Sequence, residues 1–173
     1  MSETYDLIVI GGGSAGLVAA GGAALLGARV ALIEKNLLGG DCLYTGCVPS
    51  KAMIKSAKLV EQIQHASDYG LANAKVDVDF AAIMARIKRV IADIEPHDSI
   101  ARYSALGVEC LTGSAKILSP WEVEVTDAQN NKTVLTTKNI VIAVLLFCAS
   151  VTSTSHGDKI LALPVKHSTP SAL

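Results

Sequence analysis

Tyr5-Asp6-Leu7-Ile8-Val9-Ile10-Gly11-Gly12-Gly13-Ser14-Ala15-Gly16 decides the architecture of this chain. An apolar run of strand length breaks directly into a glycine cluster that fits G-x-G-x-x-G at Gly11, Gly13 and Gly16. Ser14 to Leu26 follows as a helical stretch closed by Gly27, and Arg29 to Ile33 reads as a second strand that delivers Glu34. Each part has a physical job. Gly11 permits the tight strand-to-helix turn, Gly13 lets the backbone approach a pyrophosphate, and Gly16 lets helix and sheet pack closely. The helix N-terminus offers free N–H groups and a positive dipole end to the phosphates. Glu34 can accept hydrogen bonds from a ribose diol, and its charge disfavours a 2′-phosphate, so the loop suits FAD or NAD over NADP. A glycine-rich turn alone is a weak signal; strand, loop, helix, strand and acid at these spacings point to a dinucleotide. Gly21 and Gly22 inside the helix each cost about 1 kcal/mol against Ala, which close packing against the sheet would explain.

Just downstream stands Gly39-Gly40-Asp41-Cys42-Leu43-Tyr44-Thr45-Gly46-Cys47-Val48-Pro49-Ser50-Lys51. The cysteine spacing matches neither zinc knuckles nor thioredoxin-like sites. On a regular helix five positions rise about 7.5 Å, more than the Cα separation of about 7 Å that a disulfide tolerates. If Cys42 and Cys47 pair, the segment between them must bend, and Gly46 is the residue that allows it. Pro49 suits the first position of a helix running to about His65. Cys47 would then lie just outside a helix N-terminus, whose dipole lowers a thiol pKa, with Lys51 adding positive charge. The bland alternative is a pair of buried small apolar residues. Cys110 and Cys148 suit that description; the glycines, proline and lysine around Cys42 and Cys47 mark these two as the reactive site.

Composition narrows the class. Of 173 residues, 50% are hydrophobic and only 4% aromatic, a mix suited to parallel strands buried on both faces. A formal charge of -1 gives no basic footprint for nucleic acid. Met1 to Asp6 does not resemble a signal peptide. The longest apolar run, Ile140 to Ala149, falls well short of the roughly 20 residues of a membrane span. We therefore expect a cytoplasmic protein in a reducing compartment, with no membrane partner and no metal site.

Further along, Ser67 to Asp79 reads as a polar connection, and Phe80 to Glu95 as a helix with Ile83, Ile87, Val90 and Ile94 on one face. Pro96 ends it, and Asp98 is the expected N-cap of a shorter helix to Leu106, closed by Gly107. His97 reads as a surface residue of that cap region, while Trp121 and Tyr103 read as packing residues. Val108 to Ala115, Trp121 to Thr126 and Lys132 to Ala143 read as strands, the last returning into the main sheet.

The Gly39-Gly40-x-Cys42-x4-Cys47-x-Pro49-Ser50-Lys51 motif, following an N-terminal G-x-G-x-x-G and Glu34, resembles the class I pyridine nucleotide-disulfide oxidoreductases, in particular mercuric reductase-like and dihydrolipoamide dehydrogenase-like proteins. The resemblance covers roughly Thr4 to Ala143. It implies an α/β, Rossmann-like FAD-binding domain with a parallel sheet, a helical insertion and a small antiparallel β-meander. It implies FAD held by Gly11, Gly13, Ser14, Ala15, Gly16, Glu34 and Lys35, with Gly40, Asp41, Cys42 and Lys51 around the ring end and Ala115 at the adenine side. By the same analogy Cys42 and Cys47 form a redox disulfide, with Cys47 facing the flavin and Cys42 exchanging with substrate. The family reaction carries hydride from NADH or NADPH to FAD, then to the disulfide, then to a small-molecule disulfide or metal-ion substrate such as mercuric ion.

The chain departs from that pattern after Ile140-Val141-Ile142-Ala143, where the family has a Thr-Gly turn and Val144-Leu145-Leu146 stands here. The expected organisation is residues 1–143 as the N-terminal part of the FAD-binding domain and 144–173 as an aberrant or disordered tail, too poor in patterned apolar residues to predict order. A reading-frame shift would account for the tail, because the bases that can encode Phe147 to Ser155, read one position later, spell a proline-rich stretch like the family's. A second glycine fingerprint for the nicotinamide cofactor, the returning FAD half and the family's dimerisation domain are all absent from the sequence. We expect weak FAD binding at best, poor solubility and little or no turnover from this chain alone. Two other readings stay open: a non-catalytic dinucleotide-binding remnant, and a thiol redox or metal sensor.

Overall fold

The computed structural model describes residues 4–144; Cys148 and the remainder of the 144–173 tail lie outside the described residues. β1 (Leu7–Ile10) and β2 (Val30–Glu34) flank α1 (Ser14–Leu25). After β2 come α2 (Gly40–Tyr44), α3 (Cys47–Gln64), a 3-10 turn Ala66–Tyr69, and α4 (Phe80–Ile94). A second 3-10 turn, Glu95–Asp98, leads into α5 (Ile100–Ala105) and β3 (Val108–Thr112). β4 (Ser114–Ser119), β5 (Glu122–Thr126), β6 (Lys132–Thr136) and β7 (Ile140–Ile142) follow.

Four strands form a parallel sheet in the order β3-β2-β1-β7, with Leu7 opposite Val30, Ile8 opposite Ile140 and Val30 opposite Val108. β4, β5 and β6 form the antiparallel meander. The alternation of strand side chains builds a layered core. Ile8, Ala31 and Ile33 face the meander and pack on Val123 and Val125. Val9, Val30 and Leu32 face the other way and pack with Leu17 and Ala20 of α1. Val30 to Ile33 are all buried, which is why this strand reads as a continuous apolar run. The expected α/β architecture, helical insertion and meander are all present.

α1 ends as its Gly27 predicts. Ala28 N–H donates to Ala23 O at 3.1 Å and Gly27 N–H to Ala24 O at 2.9 Å, the two bonds of a Schellman cap. α3 and α4 pack on each other as the helical insertion, and Arg86 Nη1 donates to Ala52 O at 3.0 Å between them. Ile87 is the buried centre of the α4 face; Ile83, Val90 and Ile94 are half-buried around it.

Several boundaries differ from the sequence expectation. The run from Val108 to Ala115 is two strands, because Gly113 N–H donates to Glu34 O at 2.9 Å and the chain then leaves the parallel sheet for the meander. The run from Lys132 to Ala143 likewise divides at Thr137, a buried residue whose hydroxyl donates to Asn139 O at 2.8 Å. The cap of α5 is Ser99, which accepts from Arg102 N at 3.2 Å, and not Asp98, which belongs to the preceding 3-10 turn. Trp121 is 56% exposed at the β4–β5 turn and is not a packing residue, whereas Tyr103 is half-buried against α1. Gly21 accommodates that tyrosine: a Cβ there would meet the Tyr103 ring at 3.2 Å. A Cβ on Gly22 would meet nothing within 4 Å, so packing does not account for that glycine.

Candidate functional site

The glycine loop sits at the C-terminal edge of the parallel sheet. Gly11 N–H donates to Ile33 O at 2.8 Å, and Leu17 N–H to Gly13 O at 2.9 Å opens α1. Gly16 is required by close approach, since a Cβ would fall 1.8 Å from Gly11 O. Gly13 is the N-cap of α1 with no side-chain cap bond, which leaves first-turn N–H groups for a ligand. A Cβ on Gly13 would meet nothing within 4 Å, so its face is open, with Ser14 and Ala15 exposed beside it. An uncapped helix start under an open backbone face is the arrangement that receives a pyrophosphate.

Glu34 lies at the end of β2, as expected, and is already engaged. Its Oε2 accepts from Gly12 N–H at 2.6 Å and its Oε1 from Asn36 N–H at 2.8 Å. Each oxygen keeps acceptor capacity for a sugar hydroxyl. Lys35 follows, exposed. Ala115 is half-buried on β4 opposite Val125, and the Gly113–Glu34 bond holds its stretch next to the acid. A cleft of about 180 Å³ opens beside Glu34, walled by Leu32, Leu38, Tyr44, Cys110 and Leu111.

The turn that carries the first cysteine is joined to this loop directly. Gly39 N–H donates to Gly12 O at 2.8 Å, and Gly13 pairs with Gly39 as a parallel bridge. Gly40 and Asp41 then open α2, which holds Cys42. The helix stops at Thr45, whose N–H donates to Asp41 O at 3.0 Å, and α3 starts at Cys47. Gly46 makes the corner. A Cβ there would meet Asp41 O at 2.8 Å, so the bend expected between the cysteines depends on this residue. Cys47 is therefore the first residue of α3, two positions earlier than the start expected at Pro49.

The corner brings the two thiols close enough for each to shift the other's ionisation. The Cys42 thiol is lowered from its ordinary value, first by the hydrogen bond from Cys47, next by one from the Ser14 hydroxyl, and less by the Lys51 charge. Cys47 moves the other way, raised first by its bond to Cys42, with burial and the charge on Cys42 adding to it. This corrects the expectation of a lowered Cys47. Two adjacent sulfurs do not both ionise readily, so the pair shares one proton, and the negative charge is favoured on Cys42, toward which Cys47 and Ser14 donate. Lys51 is exposed one turn into α3 and favours the thiolate on either sulfur.

Cys110 is half-buried on β3, and burial pushes its thiol up, in keeping with a packing role. His97 is exposed. Among the described residues no group of three or more His, Cys, Asp or Glu is placed to hold a metal, and no helix is long and apolar enough to cross a membrane. Sequence reasoning missed three contacts: Ser14 to Cys42, Gly39 to Gly12, and Tyr44 to Glu95, whose O–H···Oε1 distance is 2.9 Å.

Residues 5–144 match the sequence pattern described as pyridine nucleotide-disulphide oxidoreductase. The chain belongs to that family. The chain is 36% identical over 144 residues to a dihydrolipoyl dehydrogenase of Zymomonas mobilis, an alignment covering 83% of this chain and 30% of the relative. It is 38% identical to a dihydrolipoyl dehydrogenase of Acholeplasma laidlawii, over 83% of this chain and 41% of that protein. It is 35% identical to a leghemoglobin reductase of Vigna unguiculata, over 82% of this chain and 27% of that protein. The chain thus spans less than half the length of these curated relatives. Membership implies FAD and NAD(P)H as cofactors. The uncapped α1 terminus, the open face of Gly13 and the carboxylate of Glu34 fit such a dinucleotide.

Proposed function

We propose that this chain binds FAD along the glycine loop and uses Cys42 and Cys47 as a dithiol–disulfide couple that passes electrons to a small-molecule disulfide. The observation that carries this reading is the Gly12–Gly39 hydrogen bond of 2.8 Å, which seats the cysteine-bearing turn on the phosphate-binding loop. The N–H groups of Gly13, Ser14, Ala15 and Gly16 receive the pyrophosphate, and Glu34 accepts from the ribose, with Lys35 and the Ala115 stretch toward the adenine. Gly40, Asp41, Cys42 and Lys51 border the ring end. When bound, FAD supplies hydride acceptance from NAD(P)H and two-electron exchange with a neighbouring disulfide.

The chain's own residues set the polarity of the couple. The lowered Cys42 thiol is the nucleophile toward substrate, because the thiolate is the attacking species. Cys47 shares the proton beside it and, by the resemblance, would be the sulfur that faces a bound flavin. Lys51 stabilises negative charge at that end. A mercuric ion, a soft cation that prefers two thiolates, is a second substrate class for the same pair. The resemblance implies a homodimer for the full-length family, whose dimerisation domain this sequence does not show, and the cysteine usage suits the cytoplasm.

The test is FAD binding at equilibrium. Titrating the full chain into FAD should change the flavin fluorescence weakly but saturably, and Glu34→Ala should remove most of that change. A folded wild-type chain that leaves the flavin signal unchanged at every concentration overturns the reading.

A further inference from the structure

α2 is a single turn with no side-chain cap, too short to be stable by itself. What holds Cys42 in place must come from its neighbours. Leu43 is buried in the core, and Thr45 closes on Asp41 O through its N–H at 3.0 Å and its Oγ1 at 3.3 Å. Those contacts fix the turn locally, and the Gly46 corner folds it onto α3. Tyr44 adds a second, distant tie. Its hydroxyl donates to Glu95 Oε1 at 2.9 Å across 51 positions of sequence. The phenol keeps its proton for that purpose, since burial and the Glu95 carboxylate raise it.

Glu95 stands where α4 ends and the Glu95–Asp98 turn, with its internal Pro96, begins. α4 packs along α3, and α3 carries Cys47. The hydrogen bond therefore closes a ring of elements: Cys42 on α2, Tyr44 to Glu95, α4 against α3, and back to Cys47. Asp98, in the same turn, lies against the other end of α2, its carboxylate 3.3 Å from a Cβ built on Gly39. We propose that Tyr44 and Glu95 are positioning residues for the dithiol, which brace the Cys42 turn over Cys47 and so favour closure to the disulfide. The inference rests on the reading of Cys42 and Cys47 as a redox couple.

In the step concerned, the two thiols release two protons and two electrons and form one S–S bond. Oxidised glutathione takes up both and leaves as two glutathione thiols. A braced pair loses less freedom on closing, so the brace raises the equilibrium constant for the disulfide.

The experiment equilibrates the full chain with graded ratios of reduced and oxidised glutathione, traps free thiols by alkylation, and counts them by mass spectrometry. Thermal unfolding is followed in parallel. Tyr44→Phe and Glu95→Ala should each lower the constant about fivefold, the net scale of one ordinary, solvent-exposed hydrogen bond. The double variant should fall no further than either single one. Glu95→Gln, whose amide oxygen still accepts, should stay within about twofold of wild type. A residue that supports the fold alone would lower the unfolding temperature and leave the equilibrium constant in place. Tyr44→Phe at the wild-type constant, additive losses in the double variant, or a Glu95→Gln loss equal to that of Glu95→Ala would each overturn the proposal. A wild-type chain that never forms the Cys42–Cys47 disulfide at any ratio sinks the underlying redox reading instead.

Discussion

The peptide N–H of Gly12 donates to Oε2 of Glu34 at 2.6 Å, which ties the phosphate loop to the tip of β2. The second oxygen accepts from Asn36 N–H at 2.8 Å. One carboxylate thus orders both loops that must meet an adenosine. Removing it by Glu34→Ala should cost about 2 kcal/mol of unfolding free energy, as hydrogen bonds to a charged acceptor do. Glu34→Gln keeps an acceptor toward Gly12 and should lose about half as much. Urea unfolding with and without FAD measures both, and the added stability from FAD should shrink in the same order.

Gly21 and Gly22 should respond oppositely to alanine. Gly22 is exposed with open space above it, so Gly22→Ala should stabilise the chain by about 1 kcal/mol through helix propensity alone. At Gly21 the new methyl meets the Tyr103 ring at 3.2 Å, and that contact should cancel the gain or reverse it. Paired urea midpoints of the two variants decide the point.

Alkylation should find Cys42 before Cys47, even though Cys47 is the more exposed. The Cys42 thiolate is favoured by donors from Cys47 and Ser14, so its rate of reaction with iodoacetamide should persist below the usual thiol range and fall only as pH drops through the lowered pKa. Ser14→Ala removes one donor and should move that inflection upward. Peptide mapping of the singly alkylated protein across about pH 6 to 10 is the readout, a window that brackets the ordinary thiol value of about 8.5. Equal labelling of both cysteines at every pH would contradict the assignment.

Tyr5 gives the fold an alkaline weakness. The ring is buried at the foot of the sheet, its hydroxyl donates to Glu109 Oε2 at 2.6 Å, and Arg29 lies 4.8 Å from the ring centroid. Burial first, and then Glu109, push its pKa from 10.0 up to about 12. The folded state therefore holds the proton more tightly than the unfolded chain. That contribution is complete below about pH 10 and disappears as the pH rises through about 12, for a loss of about 3 kcal/mol. Tyr5→Phe lacks the ionisation, so the difference in unfolding free energy between wild type and variant should narrow or reverse over that interval.

Local chemistry was readable from the sequence, and contacts between distant residues were not. Gly11, Gly13, Gly16 and Glu34 act through backbone geometry within one βαβ unit, so spacing alone located them. Gly46 was readable for the same reason, because a regular helix cannot bring positions 42 and 47 together. The split at Gly113 was hidden: both halves of the run keep a two-residue alternation, and which sheet each half joins depends on β5 and β2, not on the run itself. Ser99 outcompeted Asp98 as cap because Pro96 starts a 3-10 turn that takes in Asp98. Tyr44 and Glu95 carry no pattern linking them, since both are polar residues on separate helices. The raised pKa of Cys47 follows from proton sharing with Cys42, which only the folded corner creates.

In the proposed function, flavin and the Cys42–Cys47 disulfide exchange electrons as one unit. Anaerobic dithionite titration of the FAD-loaded, oxidised chain tests it most directly, with Cys42→Ser as the comparison. Wild type should consume twice the reducing equivalents per flavin that free FAD consumes, with two thiols appearing in step, while Cys42→Ser should consume only the flavin's share. A wild-type uptake equal to that of free FAD, with Cys42 and Cys47 left oxidised, would contradict it.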